Sequence, residues 1–170
     1  MHQLELLLLL SIIPANVHSK VTLTKIVCTS KYPMMIYEKC LIERVNRSLS
    51  TITLQQKLLQ PIRSVYLNLS IVHFSKGLNR VLYKFNNVDV CDFFVKRRHP
   101  VIRFLFEYIK KFSNVNHSCP FQDYIFLRNM AIKNADLIRA PIPKGEYGVM
   151  TSWKLNGIGD AEVKGFGVYD

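Results

Sequence analysis

At 170 residues the chain fits a single domain with a real hydrophobic core. Its four cysteines, Cys28, Cys40, Cys91 and Cys119, contain no CxxC pair, which argues against a zinc site or a thioredoxin-like redox motif. Lys and Arg number 23 against 12 Asp and Glu, a net charge of +11 that favours anionic partners.

The first segment reads as a leader. "MHQLELLLLLSIIPANVHSK" has an apolar core from Leu6 to Ile13, too short to span a bilayer, and no later stretch reaches the length needed. Val17 and Ser19 are small enough for the positions before a signal-peptidase cut. The expectation is a signal peptide over 1–19, with a cut after Ala15 as the alternative; the n-region departs from the pattern in lacking Lys and Arg and carrying Glu5. A mature domain over 20–170 keeps every Lys and Arg and loses Glu5, so its net charge becomes +12. Three Asn-x-Ser triplets follow, at Asn46, Asn68 and Asn116. Sugar is added to such triplets only in a secretory compartment, where an even number of cysteines pairs into disulfides. The chain is therefore expected to be a secreted, extracellular glycoprotein.

The mature chain shows no repeat, low-complexity segment or linker, and reads mostly as strands. "VTLTKIVCTS" and "MMIYEKCLIERV" are β-rich runs separated by "KYP", and "SLSTITLQQKLL" follows a turn at Asn46-Arg47. "IRSVYLNLSIVHF" alternates: Val65, Leu67, Leu69 and Ile71 lie on one face, Tyr66, Asn68 and Ser70 on the other. A glycan on Asn68 has to face water, which turns the aliphatic set toward the core. "RVLYKFNNVDVC" reads as the next strand.

The period then changes. "HPVIRFLFEYIKKFS" predicts one helix over about 97–112, with Pro100 near its first turn. Arg103, Glu107, Lys110 and Lys111 make a polar face with the i,i+4 pairs Arg103–Glu107 and Glu107–Lys111. Val101, Ile102, Phe104, Leu105, Phe106, Tyr108, Ile109 and Phe112 fill an apolar arc of roughly 200°, wider than one packed layer requires. Either the helix is sunk deep in the domain or a second apolar neighbour covers it: a sheet edge, a ligand, a membrane or a partner.

Strands return with "DYIFLRNMAI", then, after the rigid lead-in "PIPKG", with "GEYGVMTSWKLN" and "AEVKGFGVYD" joined by the "GIGD" turn. About eight strands and one main helix predict a mainly β antiparallel sandwich or barrel with the helix inserted before the last three strands. Four cysteines allow three pairings. The layout favours Cys28–Cys40 across a hairpin of the first two strands, and Cys91–Cys119 bracketing the helix.

Chemistry for turnover is missing. No Gly-x-Ser-x-Gly elbow occurs. His73, His99 and His117 lie on a strand, at a helix start and inside a sequon, without metal-ligand spacing. His73 is a candidate for a cavity mouth. Asp92 reads as a helix N-cap rather than as half of an acid pair with Asp89. "GIGDAEVKG" leads into no helix and so does not read as a phosphate cradle. A non-enzymatic protein with no cofactor and no metal is expected. The basic run Lys96, Arg97, Arg98, His99 is either a solvated flank or a site for an anionic head group or membrane surface; nucleic acid is not expected, because stacking aromatics are not interleaved with it.

"KIVCTS", "YEKCLIERVNRS", "DVCDFF", "FSNVNHSCPF" and "IPKGEYGVMTSWKLNG" resemble an insect-expanded family of secreted proteins of unknown function. That family looks related to the ML lipid-recognition superfamily, which includes the ganglioside activator and sterol-carrying lysosomal proteins, with CheB-type relatives linked to gustatory chemosensation. The resemblance implies an immunoglobulin-like sandwich holding a hydrophobic ligand between its sheets. The residues expected to line such a cavity are Val65, Leu67, Leu69, Ile71, Phe85 and Trp153 on strands, with Phe104, Leu105 and Tyr108 on the helix as a cap. Lys96, Arg97 and Arg98 would favour an anionic head group. The expected function is a carrier of a lipid-like ligand; the alternative is an extracellular accessory protein that acts through protein contact, with a receptor as its partner.

Overall fold

The structure, a computed structural model, describes residues 20–31, 34–47, 49–133 and 142–170. The leader, Ser48 of the first sequon and Pro141 of the lead-in lie outside the described residues. Eight strands and two short helices follow one another: β1 (Val21–Ser30), β2 (Met35–Arg44), β3 (Ser50–Leu58), β4 (Val65–Ser75), β5 (Leu78–Asp89), α1 (Val90–Lys96), α2 (Pro100–Ile109), β6 (Tyr124–Ala131), β7 (Gly145–Leu155) and β8 (Gly159–Tyr169). They form a five-stranded sheet in the order β1-β8-β7-β4-β5 and a three-stranded sheet in the order β2-β3-β6. All pairings are antiparallel, and the two sheets do not close into a barrel. The fold is mainly β with the helices before the last three strands, as the sequence predicts.

The core ties the sheets together. Met34, Met35 and Leu58 from the β2–β3 side pack with Val65, Leu155 and Ala161 of the larger sheet, along with Ile62 and Phe121 from the connecting segments. Ile62 and Phe121 also exchange both backbone hydrogen bonds, at 2.8 and 2.9 Å, so these two connections are locked as well as buried. Asn156, in the β7–β8 turn with φ 49°, holds a third connection. Its Oδ1 accepts from the Arg63 and Ser64 amides, its Nδ2 donates to the Pro61 carbonyl, and its own N–H donates to Ser64 O. A left-handed Asn followed by Gly157 (φ 76°) is a strong hairpin turn signal, and here the turn side chain doubles as a peg.

The helical region departs from expectation. It is two helices, not one over 97–112, and the residues Val90 and Cys91 at the end of the predicted strand belong to the first of them. Pro100 is the reason: it lacks an N–H, its ring would collide with the carbonyl four residues back, and it forces the residue before it out of the helical region. His99 accordingly lies at φ −92°, ψ 104°, and Arg97 closes α1 in the left-handed region at φ 52°. Asp92 is not the cap. Asp89 is, its carboxylate accepting from the Asp92 amide at 2.9 Å, while Asp92 itself pairs with Lys96 at 2.5 Å. Glu107 pairs with Lys110 and approaches Arg97 at 4.0 Å, in place of the expected Arg103 and Lys111 partners; Lys111 instead sits over the Tyr108 ring.

After α2 the chain joins the smaller sheet. Ser113 bridges Leu127, Phe112 O accepts from the Arg128 amide, and the Asn114 side chain bonds Tyr124 O and Phe126 N of β6. The helices thus extend the layer of the smaller sheet across the inner side of β4 and β5, where Phe93 and Ile102 pack on Leu67, Leu69 and Val88. One consequence falls on the disulfides. Cys91 joins Cys119, tying α1 to the segment that returns to β6. Cys28 joins Cys40 as well, but β1 and β2 do not pair as a hairpin; they lie in different sheets, so this bridge clamps the two layers.

Candidate functional site

Directly opposed residues on neighbouring antiparallel strands share a face. Leu67 faces Trp153, which faces Ala161; Leu69 faces Thr151 and Phe85; Ile71 faces Val149 and Tyr83; Val149 faces Gly165, which faces Ile26. Because Leu67, Leu69 and Ala161 are buried and Cys28 on the same face reaches across to the other sheet, this is the inner face.

The inner face is filled at one end and open at the other. At the filled end, Leu67 and Leu69 sit under Val88, Phe93 and Ile102, and Phe85, Leu105, Phe106 and Trp153 close around them. Trp153 touches both core clusters and donates its Nε1–H to Thr151 Oγ1 at 2.9 Å, which satisfies the indole without water. Toward the other end the same rows lose their cover. Val149 is 42% exposed and Tyr83 46%, although both lie on the inner face, and Ile71 is only half-buried. A Cβ built on Gly165 would meet no described atom within 4 Å. Ile71 thus faces inward without being fully covered. The β4–β5 register slips between Ile71 and Val72, and it is Val72, on the outer face opposite Gly148, that is buried.

Of the nine residues predicted to line a cavity, Leu67, Leu69, Phe85, Leu105 and Trp153 come together in one cluster, and Val65 joins the neighbouring cluster that Trp153 also touches. Ile71 continues their row toward the open end. Phe104 points outward at 53% exposure and does not cap this cluster. Tyr108 turns to the end of β6, donating its hydroxyl to Ala131 O and packing on Phe112. Sequence reasoning missed Val149, Tyr83 and Gly165. The pairing register alone could have placed them, since Tyr83 and Val149 stand opposite Ile71, which periodicity had already turned inward, and Gly165 stands opposite Val149.

Two groups close to this space are polar. Tyr37, on β2, donates its hydroxyl to the Glu162 carbonyl of β8 at 3.4 Å, a link between the layers; burial pushes this hydroxyl up to about 12, partly opposed by a hydrogen bond with Gln56. His73 stacks on Tyr147, 4.9 Å between ring centres, with Nε2 3.3 Å from Lys144 O at the start of β7.

The basic run has a more specific environment than a charged flank. Arg97 lies over Phe106 at 4.4 Å, Phe94 at 5.3 Å and Phe93 at 5.5 Å, with the three rings edge-to-face to one another. Its Nη1 is buried in this helix–helix contact, while the side chain as a whole stays 33% exposed. Lys96 is engaged by Asp92, and Arg98 is exposed. Asn46, Asn68 and Asn116 are all exposed. Among the described residues, no group of three or more His, Cys, Asp or Glu gathers to hold a metal, and no helix is long and apolar enough to cross a membrane.

These features define a two-sheet β protein, disulfide-clamped between its layers, whose inner face is apolar and, among the described residues, incompletely covered. Residues 67–149, from β4 through both helices into β7, match the model of a family described as "Protein of unknown function (DUF1091)". No curated protein matches the chain.

Proposed function

We propose that this is a secreted, non-enzymatic carrier of a lipid-like hydrophobic ligand, taken up between the sheets at the open end of the inner face. The observation that carries the reading is the row Ile71, Val149 and Gly165: apolar, inward-facing and left uncovered by the described residues. An apolar side chain left part-exposed on an inner face forgoes roughly 25 cal/mol for each Å² that a ligand could cover, so an acyl chain or terpenoid has a driving force for entry and affinity should rise with chain length. The two disulfides suit an extracellular protein. The sterol- and lipid-binding resemblance of the sequence points the same way, as does the absence of a nucleophile–base arrangement in its motifs.

The test follows from Gly165. Its backbone does not require glycine, and the first carbon of a larger side chain there meets no described atom within 4 Å. Gly165→Leu is expected to keep the thermal stability of the parent while weakening binding of fatty acids or sterols about tenfold, read as Trp153 fluorescence in a titration. If parent and variant bind no fatty acid, sterol or cuticular hydrocarbon at micromolar concentration, and extraction of the secreted protein yields none, the carrier reading is wrong. The second reading, an accessory protein that docks on another protein through the helices, has one observation in its favour: Phe104 and Val95 are exposed, at 53% and 70%.

A further inference from the structure

The outer face of the larger sheet carries a groove that the carrier reading does not use. It is shallow, about 140 Å³, and crosses four strands: Lys84 and Asn86 on β5, Asn68 and Ser70 on β4, Met150 and Ser152 on β7, Glu162 and Lys164 on β8. At a strand spacing near 4.8 Å it runs roughly 14 Å across the sheet. Its lining combines Met150 with polar side chains, among them the Glu162–Lys164 ion pair at 2.7 Å, a combination that suits a pyranose ring with its hydroxyl edge and apolar faces.

The sequon asparagine sits within this groove, and its amide is oriented. The β4–β5 register slips opposite Asn68, because Leu67 pairs with Val88 but Leu69 with Phe85. Asn87 takes up the slack in the left-handed region at φ 53°, and its N–H donates to Asn68 Oδ1 at 2.7 Å. The bulge thus holds the oxygen of an asparagine that lines the groove, and Nδ2 is the atom that glycosylation would use. We infer that Asn68 is an N-glycosylation site whose innermost sugars lie back along this groove and become part of the folded surface, rather than projecting into solvent. In the transfer step Nδ2 attacks the anomeric carbon of a polyprenyl-diphosphate-linked oligosaccharide. An N–C bond forms, the anomeric C–O bond breaks, the polyprenyl diphosphate leaves with the electron pair, and one amide proton is lost to base.

The inference rests on the chain entering a secretory compartment, and Asn46 and Asn116 serve as internal controls for that. Protein secreted from eukaryotic cells is analysed by site-specific glycopeptide mass spectrometry. Asn68 is expected to be occupied and to carry less processed glycans than Asn46 and Asn116, because the docked sugars are shielded from trimming. Met150→Ser with Lys164→Ser, which leaves the sequon intact, is expected to bring its processing level with the others. Ser70→Ala, which removes the sequon but keeps Asn68, is expected to lower Tm by roughly 2–4 °C, whereas Ser70→Thr keeps both glycan and Tm. Equal processing at all occupied sites, or an unchanged Tm in Ser70→Ala, overturns the docking. An empty Asn68 beside occupied Asn46 and Asn116 overturns the site alone, and three empty sites overturn the compartment with it.

Discussion

A tyrosine whose hydroxyl reaches from one sheet to the backbone of the other is sensitive to the packing between them, and Tyr37 makes that link through Glu162 O. Burial favours its neutral form, so the folded protein keeps the proton to about pH 12 while the unfolded chain releases it near 10.0. The stability that follows is complete below pH 10, and is lost as pH rises to about 12, at up to ~1.4 kcal/mol per pH unit. Tyr37→Phe should therefore show a shallower loss of stability than the parent between pH 10 and pH 12 in urea unfolding, while the other tyrosines and lysines cancel in the comparison. Equal slopes would mean that water reaches the hydroxyl between the sheets.

At the scale of the element, the two helices are separated by a proline and joined by an arginine. Pro100 ends the possibility of a continuous helix, and Arg97 then fills the corner beneath three phenylalanine rings. The start of α1 depends on Asp89, which closes β5 and caps the helix with the same residue. Asp89→Ala is expected to cost about 1 kcal/mol, seen as a lower urea midpoint, with faster amide exchange confined to residues 91–95. A loss spread evenly over both sheets would show that Asp89 matters to β5 instead. The strands were legible from alternation: β1 matches its predicted run at both ends, and the others fall within a few residues. The helix break was written at Pro100 but overridden by the long apolar period around it. The α1 turn was hidden because Val90 and Cys91 continue the β-rich composition of β5.

For the molecule as a whole, the Cys28–Cys40 bridge spans two layers that share no strand pairing at that point. It closes 12 residues and Cys91–Cys119 closes 28, which by chain entropy is worth roughly 3 to 4 kcal/mol each. Removing the first should do more than destabilise. With Cys28 and Cys40 both changed to Ser, the sheets are expected to separate more readily at the open end of the inner face. The variant should lose about 3 kcal/mol in urea unfolding and bind a hydrophobic fluorophore that the parent excludes. The same loss without fluorophore binding would place the clamp away from the open end.

Alternation, turn residues and the one helical period determined the class of this fold, because each is a local preference that a chain expresses wherever it lies. The inward turn of Leu67 and Leu69 and the outward turn of Asn68 followed from the same local geometry. What only the tertiary structure decided is which strands neighbour which. That placed β1 and β2 in different sheets, brought Gly165 opposite Val149, and set the bulge at Asn87 against Asn68. Pairing across such distances in sequence is fixed by shared burial and register, not by the composition of either partner, and so both the unfilled inner row and the outer groove appear only when the sheets are assembled.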